Sequence, residues 1–516
     1  MVTIDALVAR AAAWFGKRPA VVDGERTATF ADVERRSNRL ANLLLGLGGA
    51  TGGRVAMLLA NRLESVEIDF GIAKAGRVRV PVNTRLTLDE RAFVLADSGA
   101  DTLVFDAAEE ESVAELRALC PRLRHLIRLG AGRLGLDYDE ALAGAVDGPA
   151  GVALAPDAPS FLLYTSGTTG RPKGATATNR SRLAATVNML ADEIDPRPGD
   201  GMVHVGSMAH GSGSKVLAHF LRGSRNLPVR SWDPERFLAL VVREHATHSF
   251  LVPTMVAALT DVARRGGPSP ESLRAITYGG SPIAPATLGE AIEVFGPRFV
   301  QVYGSCEAPH PVLVLPPRDH VLNGVPDGAR LGTAGREVAT VQVRLAGPDG
   351  ADVPDGQAGE LWVRGPNVMA GYWGRPDADR EVFRDGWYRT GDVARRGGDG
   401  YMSIVDRMRE LIISGGYNVY PAEVEAALAR HPGVAEVAVI GVPDDHWGEA
   451  VKAIVVRRPG ATPSERELVE HCATTLAGYK KPRSIEFADA LPRGSTGKIA
   501  KRVLREPYWQ GRERHV

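Results

Sequence analysis

From residue 30 to residue 106 short apolar runs alternate with stretches of helical periodicity, and this alternation restricts the fold more than any other feature of the chain. FADVERRSNRLANLLLGLG (30–48) spaces its apolar side chains three and four apart and ends in glycine, which predicts a helix. RVAMLLA (54–60) predicts a buried strand, LESVEIDFGIAKAG (63–76) a helix, VRVPVN (78–83) extended chain and DTLVFD (101–106) another buried strand. Strands of this kind, separated by helices, imply parallel sheets covered on both faces, an α/β fold. At 516 residues the chain exceeds one core, so two or more domains are expected. Glycine, proline and charge gather in RDGWYRTGDVARRGGDGYMSIVDRMRE (384–410). Beyond it come a helix pattern at 421–431, strand patterns at 436–442 and 453–457, and a second helix pattern at 464–476. These make up a small α+β domain, with the boundary expected near Asp406–Arg409.

Charge and composition narrow the function. Lys and Arg total 62 and so do Asp and Glu, a balance that attracts neither nucleic acid nor an anionic membrane. No apolar stretch reaches the ~18 residues of a membrane helix. Cys120, Cys306 and Cys472 lie far apart without metal-ligand spacing, which points to a reducing compartment. The start, MVTIDALVARAAAWFGKRP, lacks the pattern of a signal peptide, so a cytoplasmic protein is expected.

One segment departs from any regular element. TSGTTGRPKGA (165–175) follows the apolar run FLLY (161–164) and packs hydroxyls, glycines and a lysine together. Glycine permits close backbone approach, and successive N–H groups in such a turn can form an anion nest. The hydroxyls of Thr165, Ser166, Thr168 and Thr169, the backbone at Gly167 and Gly170, and the charge of Lys173 together describe a phosphate cradle. The spacing is not that of a P-loop, and a solvated Gly/Thr turn is the alternative on composition alone.

YTSGTTGRPKG (164–174) strongly resembles the signature loop of the adenylate-forming enzymes, which include acyl- and aryl-CoA synthetases, luciferases and the adenylation domains of peptide synthetases. Further segments resemble that family in its order and extend the likeness over nearly the whole chain. The resemblance implies a large N-terminal domain (1–405) of α/β layers with a distorted β-barrel-like subdomain, a hinge at 406–409, and a small mobile α+β C-terminal domain (410–516). It implies that the loop holds the β- and γ-phosphates of ATP.

In YGSCE (303–307) it implies that Tyr303 packs on adenine, with Gly304 and Cys306 beside it, and that Glu307 holds Mg²⁺. A carboxylate suits a hard dication bridging phosphates. Cys306 stands where the family has threonine, a stronger hydrogen-bond donor. TYGGSPI (277–283) is similar to the segment whose backbone, here Gly279, Gly280 and Ser281, lines the adenine and acyl pockets. DGWYRTGD (385–392) makes Asp392 the acceptor of the ribose hydroxyls. In DRMRELIISGGYNVYPAEVE (406–425), Arg407 resembles the arginine that meets ribose and phosphate oxygens, Arg409 falls at the hinge, and Gly415 and Gly416 border the pantetheine tunnel.

In LPRGSTGKIAKRVLRE (491–506), Lys498 resembles the lysine that reaches the substrate carboxylate and the α-phosphate. SMAHGSG (207–213) keeps His210 but loses the proline and phenylalanine of the family's P-[LM]-F-H, a segment that helps line the acyl pocket and can gate thioester formation. GRVRVPVN carries Arg77 and Arg79 where small or apolar residues are commoner. Thr254 and His310 join the candidate acyl pocket by proximity.

The implied activity is an acid–thiol ligase using ATP, Mg²⁺ and coenzyme A: acid and ATP give acyl-AMP and pyrophosphate, and coenzyme A then displaces AMP. The alternative keeps adenylation and passes the intermediate to a carrier-protein thiol, an amine or another nitrogen nucleophile. A nucleotide-binding regulator without turnover is disfavoured by the presence of Lys498, Glu307 and Asp392. The partner is a small carboxylic acid, and the protein is expected to be a monomer or homodimer.

Overall fold

The computed structural model describes residues 3–510 except 49–50, 166–171, 415–416, 445–446, 475, 477 and 495–496. Two compact units result. Among the described residues, one holds 3–165, 172–342 and 363–388, the other 343–362 and 389–510.

The first unit contains two parallel-cored sheets. Seven strands run in the order Leu136–Asp137, His125–Leu129, Thr102–Asp106, Arg54–Leu58, Val78–Pro81, Pro159–Thr165, Lys173–Thr178. All pairs are parallel except the last, a hairpin with Thr165 opposite Lys173. Leu58, Val80, Leu103, Phe105 and Leu162 form part of its core. The second sheet has nine strands, in the order Arg336–Glu337, Leu313–Leu315, Phe299–Tyr303, Ala275–Gly279, His248–Leu251, Gly201–His204, Arg225–Pro228, Pro19–Asp23, Arg26–Thr29. Its middle strands, from 299–303 to 19–23, are all parallel.

Helices fall where the periodicity places them. Phe30–Gly46 starts with a capping box between Thr29 and Asp32. Glu64–Lys74 is buried on every side, which four charged residues survive through partners. Glu64 meets Arg62 at 2.7 Å, Glu67 meets Arg36 at 2.8 Å, Asp69 meets Arg79 at 3.2 Å, and Lys74 meets Glu34 at 2.6 Å. The strand expected over 54–60 stops at Leu58, because the Ala60 amide turns to donate to Asp106 Oδ2 at 2.9 Å.

In the second unit a sheet runs Tyr417–Val419, Ile412–Ser414, Gly448–Arg457, Val434–Asp444, with Ser484–Phe487 parallel to Gly448–Arg457. Helices Pro421–Leu428 and Glu465–Ala473 contribute Val424, Leu428, Leu468 and Cys472 to its core. The first of these helices ends before the expected residue 431, since His431 precedes Pro432 and cannot readily stay helical. Within this unit, residues 343–346, 358–362 and 389–396 belong to a further sheet, with Met402–Arg407 paired antiparallel to its 389–396 strand. Among the described residues no helix is long and apolar enough to cross a membrane.

Candidate active site

Four sequence-predicted segments leave the carboxyl ends of four adjacent parallel strands. SMAHGSG follows Gly201–His204, Thr254 follows His248–Leu251, Gly280 and Ser281 follow Ala275–Gly279, and Gly304 to Glu307 follow Phe299–Tyr303. The carboxyl edge of a parallel sheet is where α/β folds place ligands. Gly280 has φ of 83°, and Gly280, Ser281 and Thr254 are exposed. Gly279 has a packing reason as well: a Cβ there would stand 2.4 Å from the Val302 carbonyl oxygen. Gly304 does the same for the other edge, since a Cβ would meet the His310 backbone at 2.7 Å.

The YGSCE turn is shaped by a residue the motif reading passed over. Ser305 Oγ accepts from the Glu307 amide at 3.2 Å and the Ala308 amide at 3.1 Å. Tyr303, Cys306 and Glu307 are half-buried, and Cys306 is in no disulfide.

Tyr372, equally unforeseen, brings Glu307 and Lys173 together. Its hydroxyl donates to Glu307 Oε1 at 3.0 Å, and Lys173 Nζ lies 5.3 Å from its ring centroid, a cation–π contact. The backbone holds this arrangement. The Met369 amide donates to the Glu307 carbonyl at 2.8 Å, the Trp373 amide to Gly174 at 2.8 Å, and Ala175 bridges Tyr372. Gly371, at φ 140°, lets Asp379 approach, and Asp379 Oδ1 accepts from the Tyr372 amide at 2.6 Å. The only local signal was GYWG, an aromatic pair framed by glycines. Of the phosphate loop, Thr165 and Lys173 end the two strands of the hairpin, while Ser166, Gly167, Thr168, Thr169 and Gly170 lie outside the described residues.

His210 is half-buried in a turn closed by its amide to Ser207 (3.0 Å) and its carbonyl from Gly213 (2.9 Å). Burial, then the nearby charge of Arg79, lowers its pKa. Arg79 Nη2 also donates to the Met208 carbonyl at 2.8 Å, so this replacement for an apolar residue holds the His210 segment. Arg77 is likewise buried and pairs with Asp101. His310 stacks parallel on Phe250 (5.7 Å, 1°) and shares a 2.9 Å hydrogen bond with Ser214 Oγ. Burial pushes its pKa well down.

The second unit carries the other candidates. Asp392 is buried and opposes Arg407 across paired strands, with Arg407 Nε 3.2 Å from Asp392 Oδ1. The Asp392 amide donates to Thr390 Oγ1 at 3.0 Å, and Thr390 Oγ1 donates to the Leu361 carbonyl at 2.7 Å. The expected hinge leaves strand Met402–Arg407 through one 3₁₀ turn, Met408–Glu410. Asp406 accepts from the Arg407 amide at 2.7 Å and from the Ala422 amide, in the first turn of its helix, at 2.9 Å. Burial pushes its carboxyl up to about 6, against the pull of Lys501. Lys498 is exposed beside a turn closed by Gly494 donating to its carbonyl at 2.8 Å, with Gly497 at φ 82°. Three residues on, Lys501 pairs with Glu425 at 2.8 Å and Glu410 at 3.1 Å. Gly415 and Gly416 lie outside the described residues.

Among the described residues no group of three or more His, Cys, Asp or Glu side chains could hold a metal. Glu307, a carboxylate oriented by Tyr372, is the kind of oxygen donor that a hard dication such as Mg²⁺ would take.

Comparisons with known proteins agree with this layout. The model of the AMP-binding enzyme family matches residues 8–373, and that of the AMP-binding enzyme C-terminal domain matches residues 423–498. The chain belongs to the AMP-binding enzyme family, with the adenylate-forming fold. A feruloyl-CoA synthase of Amycolatopsis sp is 42% identical over 95% of this chain and 96% of its own length. The long-chain-fatty-acid–CoA ligase FadD13 of Mycobacterium tuberculosis is 36% identical over 93% of each chain. The crystal structure of ATP-bound MatB from Rhodopseudomonas palustris superposes with a TM-score of 0.88 at 29% identity, covering 98% of this chain and 99% of that one.

Proposed function

We propose that this protein is an AMP-forming carboxylic acid–CoA ligase that uses ATP, Mg²⁺ and coenzyme A, with its chemistry divided between the two units. The observation that carries the reading is the convergence of four predicted segments at one sheet edge, with Tyr372 joining Glu307 to Lys173 beside the phosphate hairpin.

A carboxylate resists nucleophiles because of its charge and resonance, so it first needs a leaving group. Its oxygen attacks the α-phosphorus of ATP, the α–β phosphoanhydride breaks, and acyl-AMP and pyrophosphate form. Lys173 and the 165–170 loop steady the leaving phosphates. Tyr303 packs on adenine, while Gly279, Gly280, Ser281, Gly304 and Cys306 line the nucleotide and acyl pockets. Asp392 takes the ribose hydroxyls, and Arg407 meets ribose and phosphate oxygens. Glu307 would hold Mg²⁺, which would supply positive charge to offset that of the phosphates. Lys498 reaches the substrate carboxylate and the α-phosphate during adenylation, offsetting the charge of the two anions. The thiol of coenzyme A then attacks the acyl carbon, the acyl–phosphate bond breaks, and AMP leaves. Gly415 and Gly416 border the pantetheine path, and His210 gates this step. Lys498 and the incoming thiol need the same space, which domain alternation about 406–409 resolves.

A pyrophosphate-release screen over fatty, aryl and dicarboxylic acids, with and without coenzyme A, tests this reading. It expects acid-dependent pyrophosphate release, and AMP equimolar with thioester when coenzyme A is present. Release without any thioester would overturn the acceptor, and no release with any acid would overturn the ligase reading.

A further inference from the structure

Behind the segments assigned to the acyl pocket lies an ion pair that the reaction above does not use. Lys215 and Glu193 pair with their side chains 1% and 0% exposed. Lys215 opens helix Lys215–Leu221, directly after the SMAHGSG segment, and Glu193 closes a π-helical turn, Met189–Glu193. π-turns are rare and cluster at functional sites. Thr277, two residues before Gly279, donates to Glu193 Oε1 at 3.2 Å, and Lys215 Nζ faces the Phe250 ring at 5.5 Å.

Stability does not explain the pair. Exchanging a buried ion pair for apolar residues of similar size is often neutral or stabilising. This pair is also incompletely satisfied. Among the described residues, Glu193 Oε2 is buried with no hydrogen-bond partner, and Lys215 Nζ meets one carboxylate oxygen, Glu193 Oε1, with its three donors. A buried acceptor left open is costly unless something completes it. Beside the pair, Phe250 and His310 stack in parallel, and Gly211 packs so close that a Cβ there would lie 3.3 Å from Phe250.

We propose that Lys215 and Glu193 form the polar end of the acyl pocket and select an aryl acid bearing a phenolic hydroxyl, which reaches them past Phe250. The hydroxyl donates to Glu193 Oε2 and accepts from Lys215 Nζ, so one atom meets both open valences. A second carboxylate would be repelled by Glu193, and a methyl group would leave Glu193 Oε2 and the remaining Lys215 donors unsatisfied. The inference rests on the ligase reading and deepens it.

The test compares kcat/KM for pyrophosphate release with 4-hydroxycinnamic and cinnamic acids. The wild-type protein should favour the hydroxylated acid by at least about tenfold, the effect of one hydrogen bond to a charged group. Glu193→Leu with Lys215→Met removes both charges together, so neither is left unpaired, and should bring the two acids within about threefold of each other. Glu193→Gln is the second variant, should the double variant lose its far-UV circular dichroism, and should also narrow the ratio. A pair with only a structural role would lower the melting temperature and slow both acids alike, leaving the ratio in place. A wild-type ratio at or below one, or a ratio unmoved in a folded variant, overturns the proposal while the ligase reading stands. No pyrophosphate release with any acid overturns both.

Discussion

The hydroxyl of Tyr372 donates to Glu307 Oε1 at 3.0 Å, across 65 residues of sequence. One end of the contact is the carboxylate assigned to Mg²⁺, and the other is a ring facing Lys173. Tyr372→Phe keeps the ring and removes the hydrogen bond. A hydrogen bond to a charged group contributes about 1.5–3 kcal/mol. Pyrophosphate release should therefore slow by about ten- to a hundredfold, with half-saturation by Mg²⁺ moved to higher concentration. An unchanged Mg²⁺ titration would separate Tyr372 from the metal.

Asp392 and Arg407 predict a split between activity and stability. Arg407 is 52% exposed, so the pair contributes at most about 1 kcal/mol to folding. Arg407→Ala should leave the melting temperature within a few degrees and raise the KM for ATP at least about tenfold. The two residues were singled out in separate motifs, and a loss of stability without a change in KM would make their contact structural only.

Both examples show where the sequence was legible. Sequence pattern placed the Phe30–Gly46 and Glu465–Ala473 helices, because such patterns are local. Motifs named Glu307, Asp392 and Lys498 through their flanks. Tyr372, Ser305 and Phe250 escaped because their roles come from contacts between distant segments, or from a turn whose shape one side chain decides. Arg79 was visible as a departure from an apolar pattern, but its partners Asp69 and the Met208 carbonyl appear only in three dimensions.

Acid should weaken the first unit. Burial holds His204, His248 and His320 down to about 4, and pushes His219 and His310 well below the usual histidine value. In the unfolded chain histidine titrates near ~6.5, so the unfolded state binds more protons as pH falls below that value. Stability should drop through the window from about 6.5 to about 4, by on the order of 1 kcal/mol per histidine per pH unit at most. Asp406, raised to about 6, and Glu67, also raised by burial, take their protons earlier in the folded state and work in the opposite direction, but they are two carboxyls against five histidines. Melting temperatures measured between pH 7.5 and 5 should fall, and a flat profile would contradict the burial of neutral histidines.

Lys501 ties the Lys498 segment to Glu410 beside the hinge and to Glu425 on helix Pro421–Leu428. Burial opposes its charge, and the surrounding carboxylates of Glu425, Glu410 and Asp406 hold its pKa above the usual lysine value. Lys501→Met should strand those carboxylates and cost about 3–5 kcal/mol in urea unfolding, with Lys501→Arg costing less. Equal midpoints for Met and Arg would show that charge at this position is immaterial.

The two-step account turns on Lys498, and Lys498→Ala assayed in the two half-reactions tests it most directly. With acid and ATP, pyrophosphate release should fall by at least about a thousandfold, the scale of losing a positioned charge in the transition state. With acyl-AMP and coenzyme A supplied, thioester formation should remain within about threefold of wild type. Pyrophosphate release at the wild-type rate, or equal loss of both half-reactions, would contradict the account.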